Sequence, residues 1–340
     1  MKRRTTGPKN DITDVSGLQV GCAKDDTVVT GVTVIVPDQP ATCAVAVAGG
    51  GPGTRETDLL RPDTLVQTAD AVTLAGGSVH GLAAADGVVS GLLADGRGFL
   101  VSPDPSVPRA PIVPAAILFD LANGGAKAWG DVSPYFRLGR SAYLARSAAS
   151  PLGNQGAGTG ALAGSLKGGQ GTASWIMADG TVVGALAAVN CLGSTLMPAS
   201  RAFWAWPYEQ AGEFGGARPD TTSGFGLEDW PGSKLQPSPR GSTTIACIAT
   251  DAALSQAEAT RVAQMALAGM ARAVRPIFTP LDGDTVFVLA TGSRQNGPLS
   301  PVELAGLGEV AAACLARAIA RGVYLAEPVG PWQSYRSLNA

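Results

Sequence analysis

The chain is poor in the residues that commonly form catalytic triads and metal sites. It has a single histidine, His80, among 340 residues, and its five cysteines are scattered without a Cys-x-x-Cys pair. A Ser-His-Asp triad needs an imidazole base, and a zinc site needs several histidines, cysteines or carboxylates at ligand spacing. The sequence therefore predicts a protein without a metal and without a cofactor.

Charge is also scarce. Only 15% of the residues are Lys, Arg, Asp or Glu, and the net charge of −2 gives no basic footprint for nucleic acid. The longest uncharged run, 180–200, contains Asn190 and Pro198 and favours two short strands over a membrane span. The basic residues Lys2–Arg4 precede no apolar stretch. We therefore expect a cytoplasmic protein with neither a nucleic-acid nor a membrane partner.

Glycine, in contrast, is unusually common at 45 residues, and the apolar content of 45% is ample for a core. Gly156–Ala161 matches a dinucleotide-binding pattern, but no strand precedes it as that motif requires. Gly49–Gly53 follows a strand but carries a proline that removes an amide. Both runs therefore favour tight backbone turns, whose amides are able to donate hydrogen bonds to a substrate.

Local signals predict helices and a hairpin. Asp179-Gly180 lies between two β-rich runs and indicates a β-hairpin. Ser255 and Ser300 are each followed three residues later by glutamate, the signature of a capping box at a helix start. Ser78 is the expected N-cap of a helix that runs to about Leu93. Strands and helices mix without regular alternation, which favours two helix-covered sheets over one doubly wound sheet.

The segment 201–240 differs from its surroundings. It is rich in glycine, proline and aromatic residues and shows no periodicity. Long irregular segments inside a domain are uncommon unless they are functional or mobile. We therefore predict a mobile linker.

The run Thr243–Asp251 begins with two threonines and continues as an apolar strand. A chain that cuts itself to expose a catalytic N-terminal threonine would be built in this way. Such a residue needs no histidine, because its α-amine, with an ordinary pKa of about 7.7–8.0, serves as the base. The β-branch of threonine also restricts its side chain to few rotamers.

Short motifs spread over most of the chain connect this run to a known family. They are Asn10–Val15, Thr30–Thr33, Gly76–Ser78, Gly153-Asn154 with Gly156–Gly160, Lys167–Ser174, Val183-Gly184 with Val189-Asn190, Thr243–Asp251 and Asp282–Asp284. With these motifs the sequence resembles the self-processing N-terminal-nucleophile family of DmpA (L-aminopeptidase D-Ala-esterase/amidase), the β-aminopeptidases and the 6-aminohexanoate-oligomer (nylon) hydrolase NylC.

The resemblance implies an α/β fold, a four-layer αββα sandwich of the DmpA type. It implies a single catalytic domain over 1–340, cut into an α chain, 1–242, and a β chain, 243–340. It also implies a homo-oligomer of αβ units, a tetramer or larger. The expected substrates are small peptides or linear amide oligomers.

The resemblance also assigns the site. The nucleophile falls on Thr243, so that the cut bond is Ser242–Thr243, and the oxyanion-hole asparagine falls on Asn190. The carboxylate pair and the lysine of the nylon-hydrolase branch fall on three further residues, Asp282, Asp284 and Lys167. Gly158 and His80 are expected near the substrate and its oxyanion, although an isolated histidine at a helix start is commonly structural.

Two departures from the family pattern bear on specificity. Gly164 stands where the aminopeptidase branch has a tyrosine, and Asp282 stands where that branch has a serine. Both favour the site chemistry of the nylon-hydrolase branch. Ser242 is a third departure, because relatives often have Asn or Gly before the nucleophile, and it leaves open that Ser242 itself is the nucleophile.

Two other functions stay open at the level of sequence. One is an uncleaved small-molecule binding protein on the same scaffold, since a fold does not fix a function. The other is an acyltransferase of the ornithine acetyltransferase type, which shares a self-cleaving threonine but matches these motifs poorly.

Overall fold

Two stacked β-sheets form the centre of the fold, and a pair of α-helices covers the outer face of each sheet. The computed structural model describes residues 5–220, 230–234, 241–294 and 297–339. The strands of these residues are, in chain order, β1 (Leu18–Asp25), β2 (Thr30–Pro37), β3 (Ala41–Val47), β4 (Thr54–Arg55), β5 (Thr68–Ala69), β6 (Val72–Ala75), β7 (Ala115–Ile117), β8 (Leu162–Ala163), β9 (Leu166–Lys167), β10 (Gln170–Ile176), β11 (Val182–Asn190), β12 (Thr243–Thr250) and β13 (Thr285–Ala290). The α-helices are α1 (Ala83–Ala94), α2 (Tyr135–Leu144), α3 (Gln256–Ala273) and α4 (Pro301–Tyr324).

Three apolar clusters hold the layers together. The first sheet has the order β1-β2-β6-β7-β4, and α1 and α2 pack on it through residues such as Val88 and Tyr143. The second sheet has the order β10-β11-β12-β13-β3-β5, and α3 and α4 pack on it through residues such as Val262 and Leu315. The third cluster lies between the sheets. The predicted four-layer αββα sandwich is confirmed.

Close backbone contacts explain why glycine and alanine are so abundant. A Cβ atom at Gly269 on α3 would lie 2.2 Å from the carbonyl oxygen of Ala312 on α4. Only a residue without a side chain permits this approach. The two outer helices thus pack nearly backbone to backbone at this point.

The central strand β12 positions the candidate site. All of its residues are buried, and it pairs antiparallel with β11 and parallel with β13. Its side chains alternate between the two cores, with Ile245 facing the other sheet and Ala246 facing the helices. The register places Thr243 opposite Asn190, the last residue of β11. The start of β12, the end of β11 and the loop before β13 therefore meet at one edge.

Most of the local signals identify the elements correctly. Asp179-Gly180 lies between β10 and β11, which pair as the predicted hairpin. Ser255 and Ser300 each accept a hydrogen bond from the backbone N–H of the glutamate three residues later, so both capping boxes are confirmed. Gly156–Gly158 forms a short 3-10 turn without a preceding strand, as expected.

The prediction for Ser78 is wrong. Ser78 has a φ of 53° and opens a 3-10 helix, Ser78–Leu82, that precedes α1, and its side chain caps no helix end. The reason is the turn after β6, in which Gly77 and Ser78 both adopt left-handed backbone angles. An N-cap residue needs extended angles instead.

Part of the segment 201–240 packs against the body. Phe203 and Phe214 are buried and lie edge to face with ring centroids 5.5 Å apart. The remainder, 221–229 and 235–240, lies outside the described residues, as do Lys2–Arg4. Mobility of this linker after cleavage stays a prediction. None of the described helices combines the length and the apolar character needed to cross a membrane.

Candidate active site

The first residue of β12 lies against the turn that precedes β13. The Thr243 Oγ1 hydroxyl donates a hydrogen bond to the carbonyl oxygen of Ser242 at 2.5 Å. The same oxygen accepts a hydrogen bond of 3.0 Å from the backbone N–H of Gly283. A Cβ atom at Gly283 would lie 2.7 Å from the Thr243 hydroxyl, so glycine is required for this contact. The hydroxyl therefore adjoins a carbonyl that a backbone N–H already polarises.

Two carboxylates flank that turn, and both are fully buried. Asp284 accepts hydrogen bonds from the N–H groups of Thr244 and Phe278, at 2.7 Å and 3.2 Å. Asp282 Oδ2 accepts from the N–H and the hydroxyl of Thr279, while its Oδ1 is buried without a hydrogen-bond partner among the described residues. Burial, and secondly the neighbouring Asp282 carboxylate, raise the pKa of Asp284 to about 7. The pair thus offers an open acceptor and a carboxyl that titrates near neutrality.

Asn190 is held with its side chain in one orientation. Its Oδ1 accepts hydrogen bonds from three donors, Leu162 N (2.9 Å), Lys234 Nζ (3.2 Å) and Asn123 Nδ2 (3.3 Å). Its Nδ2 donates to the Phe119 carbonyl oxygen at 3.0 Å. Three donors around one oxygen fix which end of the amide is which. In the uncut chain the amide donor of Asn190 is therefore engaged by Phe119.

Lys167 lies in the small hairpin of β8 and β9. It pairs there with Leu162, whose N–H donates to Asn190 Oδ1. Its side chain is buried, and Nζ donates to the carbonyl oxygens of Gly158 at 3.0 Å and Gly168 at 2.6 Å. Burial lowers the pKa of Lys167 to about 7, against the weaker opposing effect of the Asp120 charge. A neutral amine has two N–H groups, which match the two carbonyl acceptors.

Gly158 and His80 are placed differently from each other. The Gly158 N–H donates to the Gln155 carbonyl at 2.9 Å, while its own carbonyl holds Lys167. His80 is exposed in the turn after β6 and packs edge-on against Trp129, with ring centroids 5.4 Å apart. That the two residues lie near the bound substrate stays a prediction.

Sequence reasoning missed Lys234, which comes from the segment before the expected cut. Only 6% of its surface is exposed, and Nζ donates to the Asn190 backbone carbonyl at 3.0 Å as well as to its side chain. No periodicity or motif distinguishes Lys234 within its Gly/Pro-rich surroundings. Gly283 was also missed, although its position between two aspartates was a usable signal.

The described residues contain no group of three or more His, Cys, Asp or Glu side chains placed to hold a metal ion.

The model of peptidase family S58 matches residues 10–335, which is nearly the whole chain. The chain belongs to peptidase family S58. It is accordingly a hydrolase of peptide or amide bonds, and the recognised resemblance is confirmed.

The S58 relatives fall into two groups by similarity. An uncharacterised aminopeptidase of Mycobacterium tuberculosis (strain H37Rv) is 43% identical over 352 residues, which cover 97% of this chain and 98% of that protein. A 6-aminohexanoate-oligomer endohydrolase of Kocuria sp. (strain KY2) is 28% identical over 302 residues, covering 85% and 77%. The chain is thus similar to aminopeptidases over its full length and to nylon-oligomer hydrolases over most of it.

Solved structures agree on the fold of this S58 peptidase. A β-aminopeptidase from Burkholderia sp. superimposes with a TM-score of 0.70 at 24% identity, covering 97% of this chain and 90% of that one. The L-aminopeptidase D-Ala-esterase/amidase of Ochrobactrum anthropi, described as a variant of the N-terminal-nucleophile hydrolase fold, gives a TM-score of 0.69 at 21% identity, covering 96% and 89%. The architecture is therefore that of the N-terminal-nucleophile hydrolases.

Proposed function

We propose that this chain is a self-processing amide hydrolase that cuts itself between Ser242 and Thr243 and then uses Thr243 as an N-terminal nucleophile. One observation carries the proposal. The Thr243 hydroxyl donates a hydrogen bond to the Ser242 carbonyl oxygen, and the same oxygen accepts a hydrogen bond from the Gly283 N–H. The same contact favours Thr243 over Ser242 as the nucleophile, because the attacked carbonyl belongs to Ser242.

The self-cleavage follows from this geometry. The Thr243 oxygen bonds to the Ser242 carbonyl carbon, and the carboxylate pair takes its proton because no free amine exists before the cut. The oxyanion is stabilised by the Gly283 N–H, an interaction worth about 2.7–4 kcal/mol per donor in comparable sites. The C–N bond then breaks, and the departing nitrogen takes up a proton as the new α-amine. Water hydrolyses the ester, which leaves a carboxylate on Ser242 and a free hydroxyl on Thr243.

Turnover reuses the same groups. The α-amine of Thr243 takes the hydroxyl proton, directly or through water, while the hydroxyl attacks the substrate amide. Asn190 donates to the oxyanion once its Nδ2 leaves the Phe119 carbonyl. Asp282 and Asp284 orient the ammonium and carry protons. Lys167, with a pKa near 7, is a second buried amine able to exchange a proton near neutrality.

The proposed substrates are small peptides and linear amide oligomers. The relatives that are 43% identical are named aminopeptidases, and the relatives that are 28% identical are named endohydrolases of 6-aminohexanoate oligomers. Both names describe the hydrolysis of amide bonds. We propose an oligomer of αβ units in the cytoplasm as the working form.

N-terminal sequencing of the purified protein, together with a denaturing gel, tests cleavage and nucleophile at once. The wild type is expected to give two chains, one of which begins at Thr243. Thr243→Ala is expected to stay whole and inactive. Ser242→Ala is expected to be cut, because only the backbone carbonyl of Ser242 takes part.

The matched control is Thr244→Ala. Thr244 is the next buried threonine of β12, and its hydroxyl has no hydrogen-bond partner among the described residues. This variant is expected to be cut like the wild type. A wild type that stays whole while it hydrolyses amides would sink the proposal.

A further inference from the structure

Lys234 reaches the candidate site from the segment just upstream of the bond that is to be cut. It is buried, and its Nζ donates to both oxygens of Asn190, the backbone O at 3.0 Å and Oδ1 at 3.2 Å. Asn190 in turn is the register partner of Thr243. The ammonium therefore lies beside the residue that faces the nucleophile.

The segment that carries Lys234 is docked on the body by its backbone. The Lys234 N–H donates to the Leu192 carbonyl, and the Gly232 carbonyl accepts from the Ser165 N–H, each at 2.8 Å. The close contact between this segment and the turn at Gly164 requires glycine there, because φ is +59° and a Cβ atom would lie 2.1 Å from the Gly232 oxygen. A residue with a side chain at position 164 would displace the segment. The docking is therefore built into the neighbouring turn.

The docked segment brings the positive charge of Lys234 near the Asp282–Asp284 pair. Asp282 and Asp284 are two fully buried carboxylates in one turn, and the Asp282 charge disfavours ionisation of Asp284. The Lys234 charge acts in the opposite direction and lowers the pKa of Asp284. The titratable groups around Asp284 are Asp282 from its own turn, Lys234 from the upstream segment and Cys191 after β11. Among these three, Lys234 alone brings positive charge.

We propose that Lys234 is a positioning residue for self-cleavage: it orients the Asn190 amide and offsets the negative charge of the Asp282–Asp284 pair. The proposal rests on the proposed self-processing. It makes the segment upstream of the cut a part of the maturation site, where sequence alone indicated a spacer. A chain whose upstream segment has not yet docked would cut itself slowly, so that cleavage waits for folding.

The test compares Lys234→Met, which removes the charge, with Lys234→Arg, which keeps it. Each chain is made by cell-free translation with labelled methionine, moved to buffers between pH 5 and pH 9, and sampled over time on denaturing gels. Lys127→Met is the control, because Lys127 is a half-buried lysine that likewise donates to backbone carbonyls, those of Val28 and Val29.

Lys234→Met is expected to cut at least tenfold more slowly at pH 7. The acid limb of its pH–rate profile, the range in which cleavage slows as the pH falls, is expected to move upward, since loss of an opposite charge raises the pKa of a carboxyl group. Lys234→Arg is expected to keep the wild-type limb, and Lys127→Met the wild-type rate and limb. Gly164→Ala, which keeps the lysine but displaces its segment, is expected to behave like Lys234→Met.

The outcomes separate the two proposals. A wild type that stays whole at every pH overturns the self-processing itself, and this inference with it. A wild type that cuts normally beside a Lys234→Met with the same rate and limb overturns the role of Lys234 alone. Equal slowing in the Met and Arg variants with an unmoved limb also overturns it, because that pattern indicates shape and not charge. Should Lys234→Met fail to fold by circular dichroism, Lys234→Gln and Gly164→Ala carry the same comparison.

Discussion

Gly283 lies so close to Thr243 that no side chain fits between them. A Cβ there would come within 2.7 Å of the Thr243 hydroxyl and 2.9 Å of the Gly51 carbonyl oxygen. Gly283→Ala is therefore expected to fold but to cut itself at least tenfold more slowly, because the hydroxyl or the Ser242 carbonyl must move. Gly297→Ala is the control, since a Cβ at Gly297 meets nothing within 4 Å. Cleavage of Gly283→Ala at the wild-type rate, followed over time on denaturing gels, would contradict the assigned geometry.

Asn190 tests the oxyanion assignment. Asn190→Ala removes the Nδ2 donor and leaves the donors around Oδ1 without their acceptor. We expect turnover of a small peptide amide to fall by about 10²–10³-fold, the usual effect of removing one oxyanion donor. Self-cleavage is expected to slow as well, because the groups that Asn190 orients beside Thr243 lose their acceptor. Normal turnover by the fraction of Asn190→Ala that is cut would remove this residue from the site.

Lys167 gives the stability of the chain a pH dependence with a definite sign. Its pKa is about 7 in the folded chain and 10.5 in the reference state, so between these values the unfolded chain binds more protons. Stability therefore rises with pH from about 7 to 10.5, by at most about 1.4 kcal/mol per unit. In a Thr243→Ala background, urea unfolding at pH 7 and pH 9 is expected to show this rise with Lys167 and to lose it in Lys167→Met. Lys24→Met, which alters an exposed lysine, should keep the rise.

At the scale of elements, the sequence predicted what depends on nearby residues. The capping boxes at Ser255 and Ser300 and the hairpin at Asp179-Gly180 involve contacts within a few positions, and all three are present. The start of α2 at Tyr135 and the strand β1 were not predicted, because their burial depends on packing against distant parts of the chain.

The residues of the candidate site also differ in whether the sequence could predict them. The motifs supplied Thr243 and the aspartate pair, but the pairing of Thr243 with Asn190 is a strand register between distant segments. Phe119, Asn123 and Lys234 come from loops whose positions only the complete fold determines. Local patterns therefore identify the reacting groups, whereas the groups that orient them require the structure.

The first part of the segment 201–240 is anchored to the body more firmly than its Gly/Pro-rich composition predicts. Glu213 lies 2.6 Å from Arg317 of α4, and both side chains are buried. The Tyr335 hydroxyl donates to the Arg201 carbonyl at 3.0 Å. In the cleaved protein we therefore expect the amides of 202–214 to exchange slowly with deuterium.

A pair of variants tests that anchor. Removing one partner of a buried ion pair costs about 3–5 kcal/mol, whereas an exposed pair is worth about 0–1 kcal/mol. Arg317→Met is expected to speed exchange across 202–214. Arg55→Met breaks the more exposed pair with Asp86 and is expected to leave that exchange unchanged. Fast exchange of 202–214 in the unaltered protein would show that the contacts do not hold the segment.

At the scale of the whole molecule, the predicted cut would not separate two independent halves. In the second sheet, β12 and β13 from the β chain lie between β11 and β3 from the α chain. Each chain therefore supplies hydrogen bonds and apolar faces that the other needs. Burial of apolar surface contributes about 25 cal/mol per Å², so cores shared in this way stabilise the pair by many kcal/mol.

We therefore expect two chains of about 24 and 10 kDa, in proportion to their lengths within a total of 34.2 kDa, that elute as one species without denaturant. Dithiothreitol should change neither elution nor activity, because Cys22, Cys43, Cys191, Cys247 and Cys314 are all free thiols. Size-exclusion chromatography with light scattering, with and without reductant, gives the measurement and the number of αβ units as well. Urea should unfold both chains in one transition, because the second sheet takes strands from both chains and is complete in neither chain alone. Release of the small chain at a lower urea concentration than the large chain would show that the interleaved strands do not act as one cooperative unit.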